Sequence, residues 1–221
     1  MREVVLDTET TGLSPKTSRV VEIGCVELVN AIPTGREFHT YLRPDDDYMP
    51  AEAFAIHGIS QEFLQDKPLF ADVVSELLAF LDGARLVAHN ADFDIGFLNA
   101  ELARLELPPL AGEVVDTVRL ARRKFPGAAA NLNALCERFG IDISGRETHG
   151  ALLDANLLVE VYLELSGGRQ PGLDISVRQT AAAGPVVRRK RGEPRPHAAG
   201  DAELAAHRAF LKELSSPVWD W

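Results

Sequence analysis

The chain has little cysteine, little tryptophan and no long apolar run. Its two cysteines, Cys25 and Cys136, lie far apart and in no metal-type spacing, which excludes a disulfide scaffold and a thiolate metal site. Each sits inside an apolar run, so both are read as small core hydrophobes in a reducing compartment. No apolar stretch approaches the roughly 18 residues of a membrane span, and the first residues lack a charged-then-apolar leader pattern. Cytoplasmic residence, with no membrane partner, is the expectation. Basic charge is scarce over most of the length: residues 1–166 carry 14 Lys and Arg against 27 Asp and Glu, a net of −13. What is there, 46% hydrophobic and 25% charged residues in a length of 221, is the composition of a folded, water-soluble domain with an appendage.

Beyond residue 166 the composition changes. Residues 167–221 hold 9 basic against 6 acidic side chains. "SGGRQPG" breaks a helical pattern, and "TAAAGPVVRRKRGEPRPHAAG" is small, Pro/Gly-rich and basic, with too little apolar surface to form a core. Residues 167–199 are therefore read as a flexible linker. "DAELAAHRAFLKELSS" then restores helical spacing, with Leu204, Phe210, Leu211 and Leu214 apolar and Asp201 offered as an N-cap. This tail, residues 200–221, ends in both tryptophans of the chain, Trp219 and Trp221.

Within residues 1–166, "EVVLDTE", "VVEIGCVELVN" and "REFHTYLRP" are β-branched, apolar runs with short polar connections, and they predict three strands in a meander. The pattern then changes period. "FADVVSELLAFLDG" places Phe70, Val73, Val74, Leu77, Leu78 and Leu81 at steps of three and four and stops at Gly83, which predicts a helix. "RLVAHN" and "EVVDT" read as short strands, and "DFDIGFLNAELARL", "NLNALCERFG" and "ALLDANLLVEVYLEL" as helices. Three strands followed by alternating helix and strand imply an α/β fold with a mixed sheet flanked by helices.

Most acidic residues lie on polar faces or in loops such as "RPDDDY", where a solvated charge is ordinary. Four stand in costly settings. Asp7 and Glu9 end the first strand two apart, so their side chains share a face, and holding two carboxylates together out of water needs a cation between them. Asp94 begins a helix among apolar neighbours, and Asp154 is flanked by Leu152, Leu153, Leu157 and Leu158. Four carboxylates on separate elements are what a two-metal phosphoryl site requires, and hard oxygen donors suit Mg²⁺ or Mn²⁺. His149 adds an imidazole able to take a proton at neutral pH. Five residues separate it from Asp154, about 140° of helix, so His149 belongs in the loop or first turn before the helix.

The ordered set "LDTETTG", "HNADFDIGF" and "HGALLDA" resembles the three exonuclease motifs of the DEDD superfamily, in its subgroup with histidine in the third motif. The resemblance runs through residues 3–166 and is closest to the proofreading, epsilon-type subunits of bacterial DNA polymerase III. It implies a ribonuclease H-like fold and 3′-to-5′ hydrolysis releasing nucleoside 5′-monophosphates. It also implies two divalent ions, Mg²⁺ or Mn²⁺, with Asp7 bridging them, Glu9 and Asp154 completing the tighter site, Asp94 holding the second ion, and His149 as general base. Asp7, Glu9, Thr11, Glu52, His57 and Asp154 match positions that meet the substrate. His89 also matches a family histidine, and a structural, hydrogen-bonded role is expected for it. Asp92 departs from the pattern, either tuning the metal site or facing water.

The tail carries the partner expectations. "AELAAHRAFL" resembles the epsilon-type segment that binds the polymerase catalytic (alpha) subunit, with Leu204, Phe210, Leu211 and Trp219 as contacts. "QPGLDI" resembles a sliding-clamp motif through Gln170, Leu173 and Ile175. The chain is then a monomer within a hetero-oligomer acting on DNA 3′ ends. Two other readings stay open at this point: a freestanding RNA- or DNA-trimming exonuclease of the same superfamily, and a polymerase–clamp scaffold with a silent nuclease.

Overall fold

The structure is a computed structural model and describes residues 1–45, 48–144, 148–167 and 198–213. The chain divides into two units, Met1–Leu173 and Asp174–Trp221. In the first, strands β1 (Arg2–Thr10), β2 (Val20–Val29) and β3 (Ile32–Tyr41) form the expected antiparallel meander. Strand β4 (Arg85–Ala88) then pairs parallel to β1, and β5 (Val114–Asp116) parallel to β4, giving one mixed sheet in the order β3-β2-β1-β4-β5.

Strand alternation divides the core into two layers. Val4 and Leu6 of β1, with Ile23, Cys25 and Leu86, face helices α3 (Phe70–Leu81) and α4 (Ala91–Arg104). Val5, Val26, Leu28 and Val87 face α5 (Thr117–Lys124), α6 (Leu132–Phe139) and α7 (Ala151–Leu165). Cys25 and Cys136 are buried and not joined in a disulfide, one in each layer, as expected of core hydrophobes. None of the described helices is long and apolar enough to cross a membrane.

Two features of this frame set the site. β1 pairs with β4 only through Glu3, Val4 and Val5, so its last residues run on beyond β4, at the carboxyl end of the parallel strands where α/β sheets place their ligands. The second is Gly24, opposite Asp7 on β2. A β-carbon there would lie 2.3 Å from the backbone nitrogen of Leu152 and 2.4 Å from the carbonyl carbon of Ala151. Only a glycine lets the first turn of α7 rest directly on the sheet.

Three helices are additions to the sequence expectation: α1 (Ala51–His57), the single-turn α2 (Gln61–Leu64) and α5. In α1 only Ala53 and His57 are buried while Phe54 and Ile56 are exposed, so its apolar spacing marks no core face. Helix α5 starts without a loop after β5, where the Asp116 side chain accepts the Val118 N–H at 2.8 Å. The second unit holds α8 (Asp201–Glu213), with Leu204 and Phe210 exposed and no residue buried. Asp201 is its first helical residue rather than its cap, and the Gly200 N–H donates to Glu203 at 2.8 Å. Gln170, Leu173, Ile175, Leu214, Trp219 and the basic run 188–191 lie outside the described residues.

Candidate active site

The end of β1 supplies three consecutive side chains with alternating directions. Asp7, half-buried, and Glu9, buried, point to the α7 face with Val5. Thr8 points to the α4 face, where Asp94 is its partner: one Asp94 oxygen accepts the Thr8 N–H at 2.9 Å and the Thr8 hydroxyl at 2.8 Å. Asp94 reaches this position because Asn90, in the left-handed region at φ 67°, turns the chain from β4 sharply into α4. Burial pushes the Asp94 carboxyl up to about 7; the Thr8 bonds oppose the rise, and the nearby charge of Asp116 adds to it. Cys25 lies beneath the pair, its thiol raised first by burial and then by the charges of Asp94 and Asp7.

The first turn of α7 brings Asp154, 3% exposed, to the other side of β1. His149 precedes that helix, as expected, with Nδ1 3.2 Å from an Asp154 oxygen and an imidazole that is 47% exposed. Donor atoms of Glu9, His149 and Asp154 lie within 4.8 Å of one another. The segment carrying His149 is docked on the end of α1: its N–H donates to the Ile56 carbonyl at 3.2 Å, and Thr148 packs on Gly58.

His57 closes α1 on the same flank, 4% exposed. Its Nδ1 accepts the Ile59 N–H at 3.0 Å, which puts the ring proton on Nε2. That buried nitrogen has no hydrogen-bond partner of normal geometry, although the backbone of Thr10 is its electrostatic neighbour. Burial holds the imidazole below its usual range, against the opposing pull of Glu22. Glu52 is exposed in the first turn of α1. Thr11 is tied to the chain: its N–H donates to the Arg19 carbonyl and its hydroxyl accepts the Arg19 N–H, both at 2.9 Å. His89 has the hydrogen-bonded place expected of it, 2.9 Å from the Thr117 hydroxyl. Asp92 is exposed and paired with Arg119 at 2.8 Å.

Sequence reasoning passed over Glu22. It lies directly across from Glu9 on β2, 2% exposed. One of its oxygens accepts the Ala151 N–H at 3.1 Å, and the other is 2.7 Å from His39 Nε2. The signal was a charged residue inside a largely apolar strand, one that Glu27 of the same strand shares.

A model of the exonuclease family (RNase_T) matches residues 4–162. The chain belongs to the exonuclease family. It is 46% identical over 226 residues to DNA polymerase III subunit epsilon of Rickettsia felis (strain ATCC VR-1525 / URRWXCal2), covering 97% of each chain. It is 44% identical over 236 residues to the epsilon subunit of Escherichia coli (strain K12), covering 99% of this chain and 97% of the relative. The exonuclease therefore matches epsilon subunits over nearly its whole length, and the expectation of an epsilon-type proofreading exonuclease is met. Among solved structures, Exonuclease X in complex with 5′ overhanging duplex DNA is 30% identical, with a TM-score of 0.60 over 74% of this chain and 90% of that one. The ribonuclease H-like expectation holds with it. Exonucleases of this family depend on divalent metal, and the clustered oxygen and imidazole donors here are a donor set of that kind.

Proposed function

We propose that this site removes nucleotides one at a time from DNA 3′ ends and edits the product of a replicative polymerase. The observation that carries the reading is the convergence within 4.8 Å of Glu9, on the first strand, with His149 and Asp154, on a loop and the helix after it far along the chain. Asp94 is held by Thr8, the residue between Asp7 and Glu9 on β1.

Asp7, Glu9, Asp94 and Asp154 would hold two divalent cations, Mg²⁺ or Mn²⁺. Bound there, such cations would supply activation of a water and charge stabilisation for the leaving oxygen of an in-line displacement. His149 takes the proton of the attacking water; with Nδ1 directed at Asp154, the proton is received at Nε2 and passed to solvent. The 3′ oxygen of the penultimate sugar leaves, and the terminal nucleotide departs as its 5′-monophosphate. His57, kept neutral by burial, offers its Nε2–H to that nucleotide, and Glu52 and the Thr11 turn border it. Selectivity follows from fraying, because a mispaired terminus unstacks more readily into a single-strand site.

Residues 1–166 form the nuclease domain of this reading, 167–199 its linker and 200–221 its docking tail. A net charge of −13 repels a polyanion, and two divalent ions offset only four of those charges. Delivery by a partner is the remedy: a tethered enzyme works at an effective concentration of about the millimolar range. Exposed Leu204 and Phe210 with Leu211 on α8, and Trp219 beyond it, fit a contact with the polymerase catalytic subunit. Gln170, Leu173 and Ile175 fit a sliding clamp. The subunit is a monomer within this cytoplasmic assembly.

The test is a time course on a 5′-labelled primer, paired or terminally mispaired, with Mg²⁺ or EDTA. Stepwise 3′ shortening that is faster on the mispair, abolished by EDTA and absent in Asp7→Ala is expected. No cleavage in Mg²⁺ or Mn²⁺ by folded protein would overturn the reading.

A further inference from the structure

The acidic nuclease domain has one dense run of basic side chains. Four of the 14 Lys and Arg in residues 1–166 fall within 119–124, on α5. Elsewhere the guanidinium groups are mostly spent on ion pairs: Arg2 and Arg36 on Glu27, Arg19 and Arg104 on Glu101, Arg85 on Glu3 and Glu113. Arg122 is exposed and has no ion pair among the described residues.

Arg119 and Arg122 line an open groove of about 710 Å³ together with Asn90, Asp92, Asp116 and Asn131. One wall of that groove belongs to the active site. Asn90 starts the helix that carries Asp94, its N–H donates to Asp116 at 3.2 Å, and the charge of Asp116 is felt at Asp94. The sheet order gives the groove a direction. His57 and α1 flank the site on the β1–β2 side, whereas α5 follows β5 at the opposite edge of the sheet. With the terminal nucleotide on the His57 side, the strand it is cut from leaves across Asp94 and along α5.

We infer that the α5 groove is the track for the DNA strand 5′ of the scissile bond, with Arg119 and Arg122 contacting its backbone phosphates. A guanidinium presents paired donors to phosphate oxygens, and Asn90 and Asn131 add amide donors that are indifferent to sequence. Asp92 restrains this contact. It holds Arg119 at 2.8 Å from the solvent side while Asp116 holds it at 3.2 Å from below, so a phosphate must compete with Asp92 for the guanidinium. The residue that departs from the family motif thus acts on strand affinity, through an arginine from another element.

The inference rests on the exonuclease reading, and the experiment separates the two. The full-length protein and its Arg119→Ala, Arg122→Ala, Arg122→Lys and Asp92→Ala variants are compared on a single-stranded oligonucleotide and on the p-nitrophenyl ester of thymidine 5′-monophosphate, which has no upstream phosphate. The ratio of oligonucleotide KM to ester KM should rise on the order of fivefold in each Arg→Ala variant. It should stay near the parent value in Arg122→Lys and fall in Asp92→Ala. The slope of log KM against log salt on the oligonucleotide should lose about 0.7 for each phosphate contact removed. KM values that move together on both substrates, or a salt slope unchanged by Arg122→Ala, overturn the track while leaving the nuclease standing. Failure of the parent protein to cleave either substrate overturns the exonuclease reading and the track with it.

Discussion

His149 and Asp154 meet across the start of α7, Nδ1 to carboxylate oxygen at 3.2 Å, although five residues separate them in sequence. They meet because His149 stands outside the helix, on a segment fastened to the Ile56 carbonyl, while Asp154 occupies the first turn. The carboxylate orients the ring in the manner of a base and its orienting acid. His149→Ala should therefore lower kcat by roughly 10²- to 10⁴-fold. The shape of the pH–rate profile should change with it. A pH–rate profile of the variant with the parent shape would mean that another group takes the proton.

Asp94 gives a pH dependence to stability in the metal-free protein. Its carboxyl has an ordinary value of 3.8 in the unfolded chain and is pushed up to about 7 by burial in the fold. The folded state therefore binds the proton more tightly, and stability falls as pH rises from about 4 to about 7; the cost is complete above 7 and absent below 3.8. Asp94→Asn keeps an oxygen to accept the two Thr8 donors and removes the charge. In EDTA its melting temperature should exceed that of the parent at pH 8 and converge with it near pH 4, with activity lost. Parallel melting curves across that range would count against a buried charge at Asp94.

The strands and the core helices α3, α4, α6 and α7 were legible because each obeyed a periodicity over enough residues to be seen, and the candidate carboxylates because each broke one. Asp7 and Glu9 share a strand face, and Asp154 is an acid in an apolar helix. What stayed hidden is what depends on tertiary contact. Helix α1 buries little besides His57 and leaves its large apolar side chains in solvent, so no pattern announces it. The roles of Glu22, Gly24 and Arg119 are fixed by residues more than two dozen positions away, or on the facing helix. Thr11 was matched to a substrate contact, and its hydroxyl proves to accept the Arg19 N–H.

Gly24 sets the height of α7 above the sheet. Gly24→Ala places a methyl group 2.3 Å from a backbone nitrogen that cannot move independently of its helix. Overpacking of this kind costs about 1–3 kcal/mol, and it lifts the turn that carries Asp154. Thermal unfolding should show that loss, and kcat should fall on the order of 10²-fold, as for a misplacement of about 1 Å. Full activity in Gly24→Ala would show that α7 can slide without consequence for the site.

Glu22 ties that same turn down from the other strand position, and its charge can be separated from its hydrogen bond. Glu22→Gln retains a carbonyl oxygen for the Ala151 N–H, whereas Glu22→Ala leaves that buried donor, and His39, without the acceptor seen at 3.1 and 2.7 Å. An unsatisfied buried donor costs about 1–3 kcal/mol. Glu22→Ala should lose about that much stability, with kcat falling further than KM changes, because His149 and Asp154 flank the turn that Glu22 anchors. Glu22→Gln should stay close to the parent in melting temperature and recover most of the kcat lost in the alanine variant. If the two variants lose kcat equally, the negative charge beside Glu9 matters to the site in its own right, and the anchoring of α7 is not the reason for it.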